Sequence, residues 1–159
     1  MPSDYHASVE KRLAEAGLQL PKAMAPAANY VPYKIAGDQL YVSGQVSATS
    51  DGTLIKGRCG DDISLEDAVK AAETCALNLL AQAQAAVEDF DRIEGLTKLT
   101  AFVQSTPDFG DQPKVVNGAS DLFVAVLGDR GRHARSAVGM AALPFGVAVE
   151  IDAVFQLKG

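Results

Sequence analysis

The chain has 159 residues, 48% of them hydrophobic, with 14 basic against 20 acidic side chains and a formal net charge of −6. That length describes one globular domain able to bury roughly 70% of its unfolded surface, so neither disulfides nor a metal are needed to fold it. The acidic pI, near 4.8, argues against a protein that grips nucleic acid by neutralising phosphates, which takes a basic patch.

The opening segment, MPSDYHASVEKR, mixes charges and has no apolar centre, unlike a secretory signal. Residues 8–18 carry Val9, Leu13, Ala14 and Ala16 ahead of Gly17, the pattern of a short helix with its stop. Pro21, Pro26 and Pro32 then make the next stretch extended or turning. Residues 1–25 are thus expected as an N-terminal appendage, and residues 26–159 as a single domain.

Residues 40–46, LYVSGQV, have the content of a strand. Asp51-Gly52 signals a hairpin turn after which residues 53–55 return as the partner strand. Between residues 65 and 87 the apolar positions repeat at helical spacing; Ser64 suits the N-cap, and Glu66 and Asp67 suit the first turn. Residues 96–103 read as a strand, and a loop with Pro107, Gly110 and Pro113 leads to a second helix over 115–127. Asn117 and Gly118 sit inside that helix against propensity, which points to a packing or functional reason.

Residues 135–143 and 147–157 read as two strands around a Pro144-Phe145-Gly146 turn, a hairpin. In the second of them Val147, Val149, Ile151, Ala153, Phe155 and Leu157 alternate with Ala148, Glu150, Asp152, Val154 and Gln156. The predicted order is β(β)β-α-β-α-β-β, an α+β fold in which two helices cover one face of a mixed sheet. The other face is half apolar and invites a partner subunit.

Cys59 and Cys75 form no CxxC and no Cys/His cluster, so both are expected as free buried thiols in a cytoplasmic protein. The uncharged residues 136–149 are too few for a membrane span and are broken by Gly139, Pro144 and Gly146. No GxGxxG, GxxxxGK[ST], HExxH or GxSxG occurs. Two GxxG tetrads, at 57–60 and 128–131, are too short to mark a KH module and join no pair of helices. His6 lies in a segment expected to be mobile. His133 stands in the cation-rich loop Arg130-Gly131-Arg132-His133-Ala134-Arg135, as a plain loop histidine or as a general base.

Arg135 and Glu150 stand out because the hairpin would project them into one region. Arginine offers a planar fork matched to a carboxylate. A glutamate between Val149 and Ile151 has its carboxyl desolvated, which raises its pKa and suits it to handle a proton or a water. A simple cross-strand ion pair is the competing reading.

The residues LYVSGQ at 40–45, ARSAV at 134–138, Leu143-Pro144 and Val149-Glu150-Ile151 together resemble the reactive-intermediate deaminase superfamily, also termed Rid or YjgF-like. The resemblance covers residues 26–157. Asn29-Tyr30-Val31-Pro32, the extra N-terminal helix and the run QPKVVNGA at 112–119 resemble a less studied branch of it. It implies a chorismate-mutase-like α+β fold and a homotrimer with pockets between subunits. It further implies cofactor-free hydrolysis of enamine or imine intermediates such as 2-aminoacrylate to 2-oxo acids and ammonia. A trimer that binds small carboxylic acids without turnover, or an endoribonuclease or translation inhibitor, are its alternatives.

By position, the resemblance makes Arg135 the holder of the substrate carboxylate and Glu150 the residue that orients the attacking water. Gly44 and Tyr30 line the pocket, Asn117 lies at its rim on the second helix, and Ser136 and Ala137, which follow the arginine, complete the substrate-binding set. The family's common Arg-Ser-Cys is Arg135-Ser136-Ala137 in this chain, and Gly139 replaces a frequent glutamate. Both changes alter the shape of the pocket.

Overall fold

The computed structural model describes residues 1–26 and 28–159. After an N-terminal helix α1 (Asp4–Glu15) come β1 (Tyr33–Ala36), β2 (Gln39–Val46), α2 (Leu65–Val87) and β3 (Ile93–Gln104). The chain closes with α3 (Gln112–Leu127), β4 (Ala134–Met140) and β5 (Val149–Leu157). The five strands form one sheet in the order β1-β2-β5-β3-β4. Only β3 and β4 run parallel; the other neighbours are antiparallel. The expected mixed sheet with two helices on one face is the fold observed.

The first of the two covering helices is the clearest signal in the chain. The Ser64 side chain accepts from the Asp67 N–H at 3.1 Å and starts α2 where expected. Its buried stripe of Ala68, Ala72, Cys75, Ala76, Leu79 and Ala83 packs on the sheet and on α3. Small residues let the helices approach closely. A side chain at Gly118 of α3 would run into the Val69 carbonyl oxygen of α2, and that contact explains the glycine in mid-helix. The remaining expectation for α3 is off by one turn: it begins at Gln112, with Pro113 in its first turn.

Two strand assignments change. The partner of β2 at the sheet edge is β1, joined to it through Gly37-Asp38, with Tyr33 opposite Val42. The Asp51-Gly52 turn does form, with Thr49 N–H donating to the Thr53 carbonyl at 2.8 Å. The returning residues 53–55, however, make only an isolated bridge, Ala48 to Leu54. Likewise β4 and β5 are no hairpin, because β3 is inserted between them and the 3-10 turn Pro144–Gly146 carries the chain across it.

The N-terminal segment is tied down. Ser3 caps α1, its N–H and hydroxyl both donating to the Asp89 carboxylate at 2.8 and 2.6 Å. Val9 and Leu13 of α1 join the main core, and burial of such side chains is worth about 1.5–3 kcal/mol each. His6, expected in a mobile terminus, is 6% exposed, stacks on Phe90 and accepts the Phe90 N–H on Nδ1 at 3.0 Å. Cys59 and Cys75 are both free and buried. Among the described residues no helix is long and apolar enough to cross a membrane.

Candidate functional site

Alternation along β5 aims Glu150 away from the helices, since its neighbours Val149 and Ile151 are both in the core. Burial, and then the charge of Asp152 two residues on, pushes its carboxyl above the usual glutamate value. Opposite it, β2 bulges between Val42 and Gln45, and Gly44 lies in the bulge. A Cβ at Gly44 would stand 2.5 Å from Glu150 Oε1, so the missing side chain is what leaves room for the carboxylate. Glutamate and glycine therefore share one cavity of about 170 Å³.

Tyr30, Pro32, Ser43, Gln45 and Phe145 line the same cavity, and so do Met24 and Pro26 from the segment after α1. That segment is tethered to α2 where Gln82 Nε2 donates to the Met24 carbonyl at 2.7 Å. Phe145 is 67% exposed with φ +61°, a left-handed backbone conformation that bulky residues rarely adopt. Met24, Pro26 and Phe145 were not singled out in the sequence. The Pro-Phe-Gly turn marked the place of Phe145 but not its role.

Arg135 lies elsewhere in the chain. It is in register with Leu99 and, through it, with Ala153, two core residues on the helix-covered face. Its Nη1 donates to Ser120 Oγ of α3 at 3.0 Å and its Nη2 to the Pro113 carbonyl at 3.3 Å. Glu150 is in register with Phe102 and, beyond it, with Val138 of β4. Within one chain, then, Arg135 and Glu150 point to opposite faces of the sheet, with β3 between their strands. They form neither the shared site nor the ion pair expected from a hairpin. Among the described residues two of the five guanidinium N–H groups are used, and three remain for a ligand.

The other expected residues divide in the same way. Gly44 and Tyr30 stand with Glu150. Ser136 shares a row with Thr100 and Asp152 on the uncovered face. Ala137 shares a row with Ala101 and Ile151 and packs against the core. Asn117 is exposed on α3, beside Lys114 and Asp121 in a separate groove. The space beside Gly139 is taken by Ser105 Oγ and Gln112 Nε2, which a Cβ there would meet at 2.6 and 2.8 Å.

Comparison with known proteins places the chain in a class before any particular relative. The family described as "YjgF/chorismate mutase-like, putative endoribonuclease" matches residues 10–153, and the chain belongs to that family. Among relatives, Protein TCP17 of Trypanosoma cruzi is 47% identical over 151 residues, 94% of each chain. A solved protein of unknown function from Agrobacterium tumefaciens is 47% identical, superposes with a TM-score of 0.90, and is covered to 96% by 97% of this chain. RidA from the Antarctic bacterium Psychrobacter is 28% identical with a TM-score of 0.61, over 87% of this chain and 97% of its own.

Proposed function

We propose that the protein hydrolyses 2-iminocarboxylates to 2-oxo acids and ammonia, with the site completed between copies of the chain. The observation that carries this reading is Glu150: a half-buried carboxylate with a raised pKa, in a cavity kept open by Gly44. Family membership and the likeness to RidA support it. Arg135 of a second copy supplies the carboxylate clamp that the cavity of one copy lacks. The uncovered face, where Tyr41, Val138 and Met140 are exposed, supports a homotrimer as the assembly that brings the two together.

The chemistry then needs only positioning and one proton shuttle. Arg135 pairs with the substrate carboxylate through parallel hydrogen bonds and fixes the electrophilic imine carbon. Glu150 accepts a proton from a water as the water oxygen bonds to the carbon of the protonated imine, whose C=N π electrons move to nitrogen, giving a neutral tetrahedral carbinolamine. The protonated Glu150 then passes the proton to the amine nitrogen. The C–N bond breaks and ammonia leaves with its electron pair, while the ionised Glu150 takes the hydroxyl proton and the C=O bond of the 2-oxo acid forms. A carboxyl whose pKa is raised by burial is suited to both halves of that cycle.

A coupled assay tests the reading. An amino-acid oxidase generates the imine, semicarbazide competes to trap it, and wild type is compared with Arg135→Ala. Wild type is expected to divert the imine from the trap, and Arg135→Ala to lose at least about a hundredfold of that activity. If neither protein accelerates imine loss but wild type still binds 2-oxobutyrate, the chain is a carboxylate-binding protein without turnover. If Arg135→Ala works as well as wild type, the site assignment is wrong.

A further inference from the structure

We infer that Ser120 and His133 form a hydrogen-bonded relay that fixes the guanidinium of Arg135, making both of them positioning residues for the carboxylate of the ligand. The inference rests on the site reading given above. It also assigns a task to the one histidine whose role the proposed reaction leaves open.

The polarity of the relay follows from three contacts. His133 Nδ1 is 2.7 Å from the Gly131 carbonyl oxygen, and a carbonyl can only accept, so Nδ1 carries the proton. In the neutral ring Nε2 is then an acceptor. Its partner at 2.9 Å is Ser120 Oγ, so the serine hydroxyl donates to the histidine. That leaves the oxygen lone pairs of Ser120 free to accept the Arg135 Nη1–H at 3.0 Å. Every donor meets an acceptor along Arg135, Ser120, His133 and Gly131, and in the neutral ring a proton on Nε2 instead would set the bare Nδ1 against the Gly131 carbonyl oxygen, two acceptors face to face.

The surroundings hold the relay in place. The edge of the His133 ring meets Phe123 of α3, with centroids 6.2 Å apart and planes at 71°. Gly131 closes the 3-10 turn that ends α3, and a side chain there would strike the Phe123 carbonyl, so the accepting oxygen is fixed by backbone packing. The second guanidinium contact, Nη2 to the Pro113 carbonyl at 3.3 Å, comes from the first turn of the same helix. A serine in mid-helix ordinarily turns its hydroxyl back to a carbonyl one turn earlier. His133 offers a better acceptor and aims the hydroxyl towards β4. Arginine gains from this arrangement because rotamer freedom is lost before the ligand arrives rather than on binding.

The test combines a ligand-independent readout with a binding comparison. Nitrogen-15 NMR of the His133 ring is expected to show the Nδ1–H tautomer, and an Nε2–H ring would overturn the polarity. Calorimetry with 2-oxobutyrate and with the uncharged 2-oxobutyramide is then run on wild type, Ser120→Ala, Ser120→Thr and His133→Leu. Ser120→Ala and His133→Leu should each weaken 2-oxobutyrate binding about tenfold, the effect of one charge-assisted hydrogen bond. The amide should be unaffected, and Ser120→Thr, which keeps the hydroxyl, should retain wild-type affinity. In the Ser120→Ala background, His133→Leu should cost nothing more, because its effect passes through the hydroxyl. Equal losses for acid and amide would mean a merely structural role and sink the relay. Normal 2-oxobutyrate binding by Ser120→Ala and His133→Leu beside a crippled Arg135→Ala would also sink it while leaving the site reading intact. An unimpaired Arg135→Ala would remove the site reading itself.

Discussion

The two faces of the sheet are built on opposite terms. On the covered face, Leu99, Ala101, Ile151, Ala153 and Phe155 are sealed beneath α2 and α3, and small helix residues bring backbone close to backbone. On the other, Tyr41, Phe102, Val138 and Met140 alternate with Lys98, Thr100, Glu150 and Asp152, and no helix packs over them among the described residues. The first face stabilises the chain, and the second leaves its apolar side chains available to another surface while holding a carboxylate at the rim of a cavity. A fold of this size can leave one sheet face bare because the covered face alone supplies a continuous core.

That contrast can be broken most severely at Gly118. Gly118→Val places a branched side chain against the Val69 carbonyl, so the helices must separate. We expect a loss of about 3 kcal/mol or more, or failure to fold, read from urea denaturation. A stability within about 0.5 kcal/mol of wild type would show that the helix contact is softer than its geometry. On the uncovered face, Val138→Glu adds a charge to a residue 43% exposed. The expected result is an unchanged far-ultraviolet circular dichroism spectrum and a shift from the proposed trimer to monomer in sedimentation. Imine hydrolysis should fall with it, because the proposed site is shared between copies. A trimer that survives would move the interface elsewhere.

The smallest expected effect sharpens the comparison through pH. In the folded chain Glu150 has a pKa above its ordinary 4.5, so the folded state holds its proton more tightly than the unfolded state does. Wild-type stability therefore declines as pH rises from about 4.5 towards the raised value, relative to a variant that cannot titrate. Glu150→Gln should match wild type in melting temperature below pH 4.5 and exceed it slightly at neutral pH, while losing hydrolytic activity. A melting-temperature gap that is absent at neutral pH, or that opens at acid pH instead, would show that the carboxylate is better solvated or better paired than its surroundings suggest.

Some elements could be read directly from the residues. The Ser64 cap and the apolar stripe behind it place α2 almost to the residue, and the alternation in β5 correctly separates Glu150 and Asp152 from the core. Strand β1 escaped notice because four residues between a proline-rich stretch and a glycine carry too little periodicity to register. The Asp-Gly turn, a strong local signal, drew the partner of β2 to the wrong side. The position of His6 near a terminus suggests mobility, yet the packing of α1 against Phe90 decides its environment.

The site shows the same division more sharply. Residue types in a motif make Arg135, Glu150 and Gly44 the candidates, because a guanidinium fork, a desolvated carboxylate and a missing Cβ each carry their chemistry in the side chain itself. Their relative placement is not local: the sequence order suggests a hairpin, and β3 intervenes between the two strands. Nothing local marks Ser120 as a partner of Arg135: the two lie 15 positions apart, on a helix and a strand whose packing alone makes them neighbours. By itself the sequence determined the fold class, the two covering helices and the chemical groups available, because propensity, periodicity and side-chain chemistry are local properties. Only the tertiary structure decided that Arg135 and Glu150 face apart and that His133 reaches Arg135 through Ser120, because strand order and the approach of helix to sheet depend on packing between distant segments.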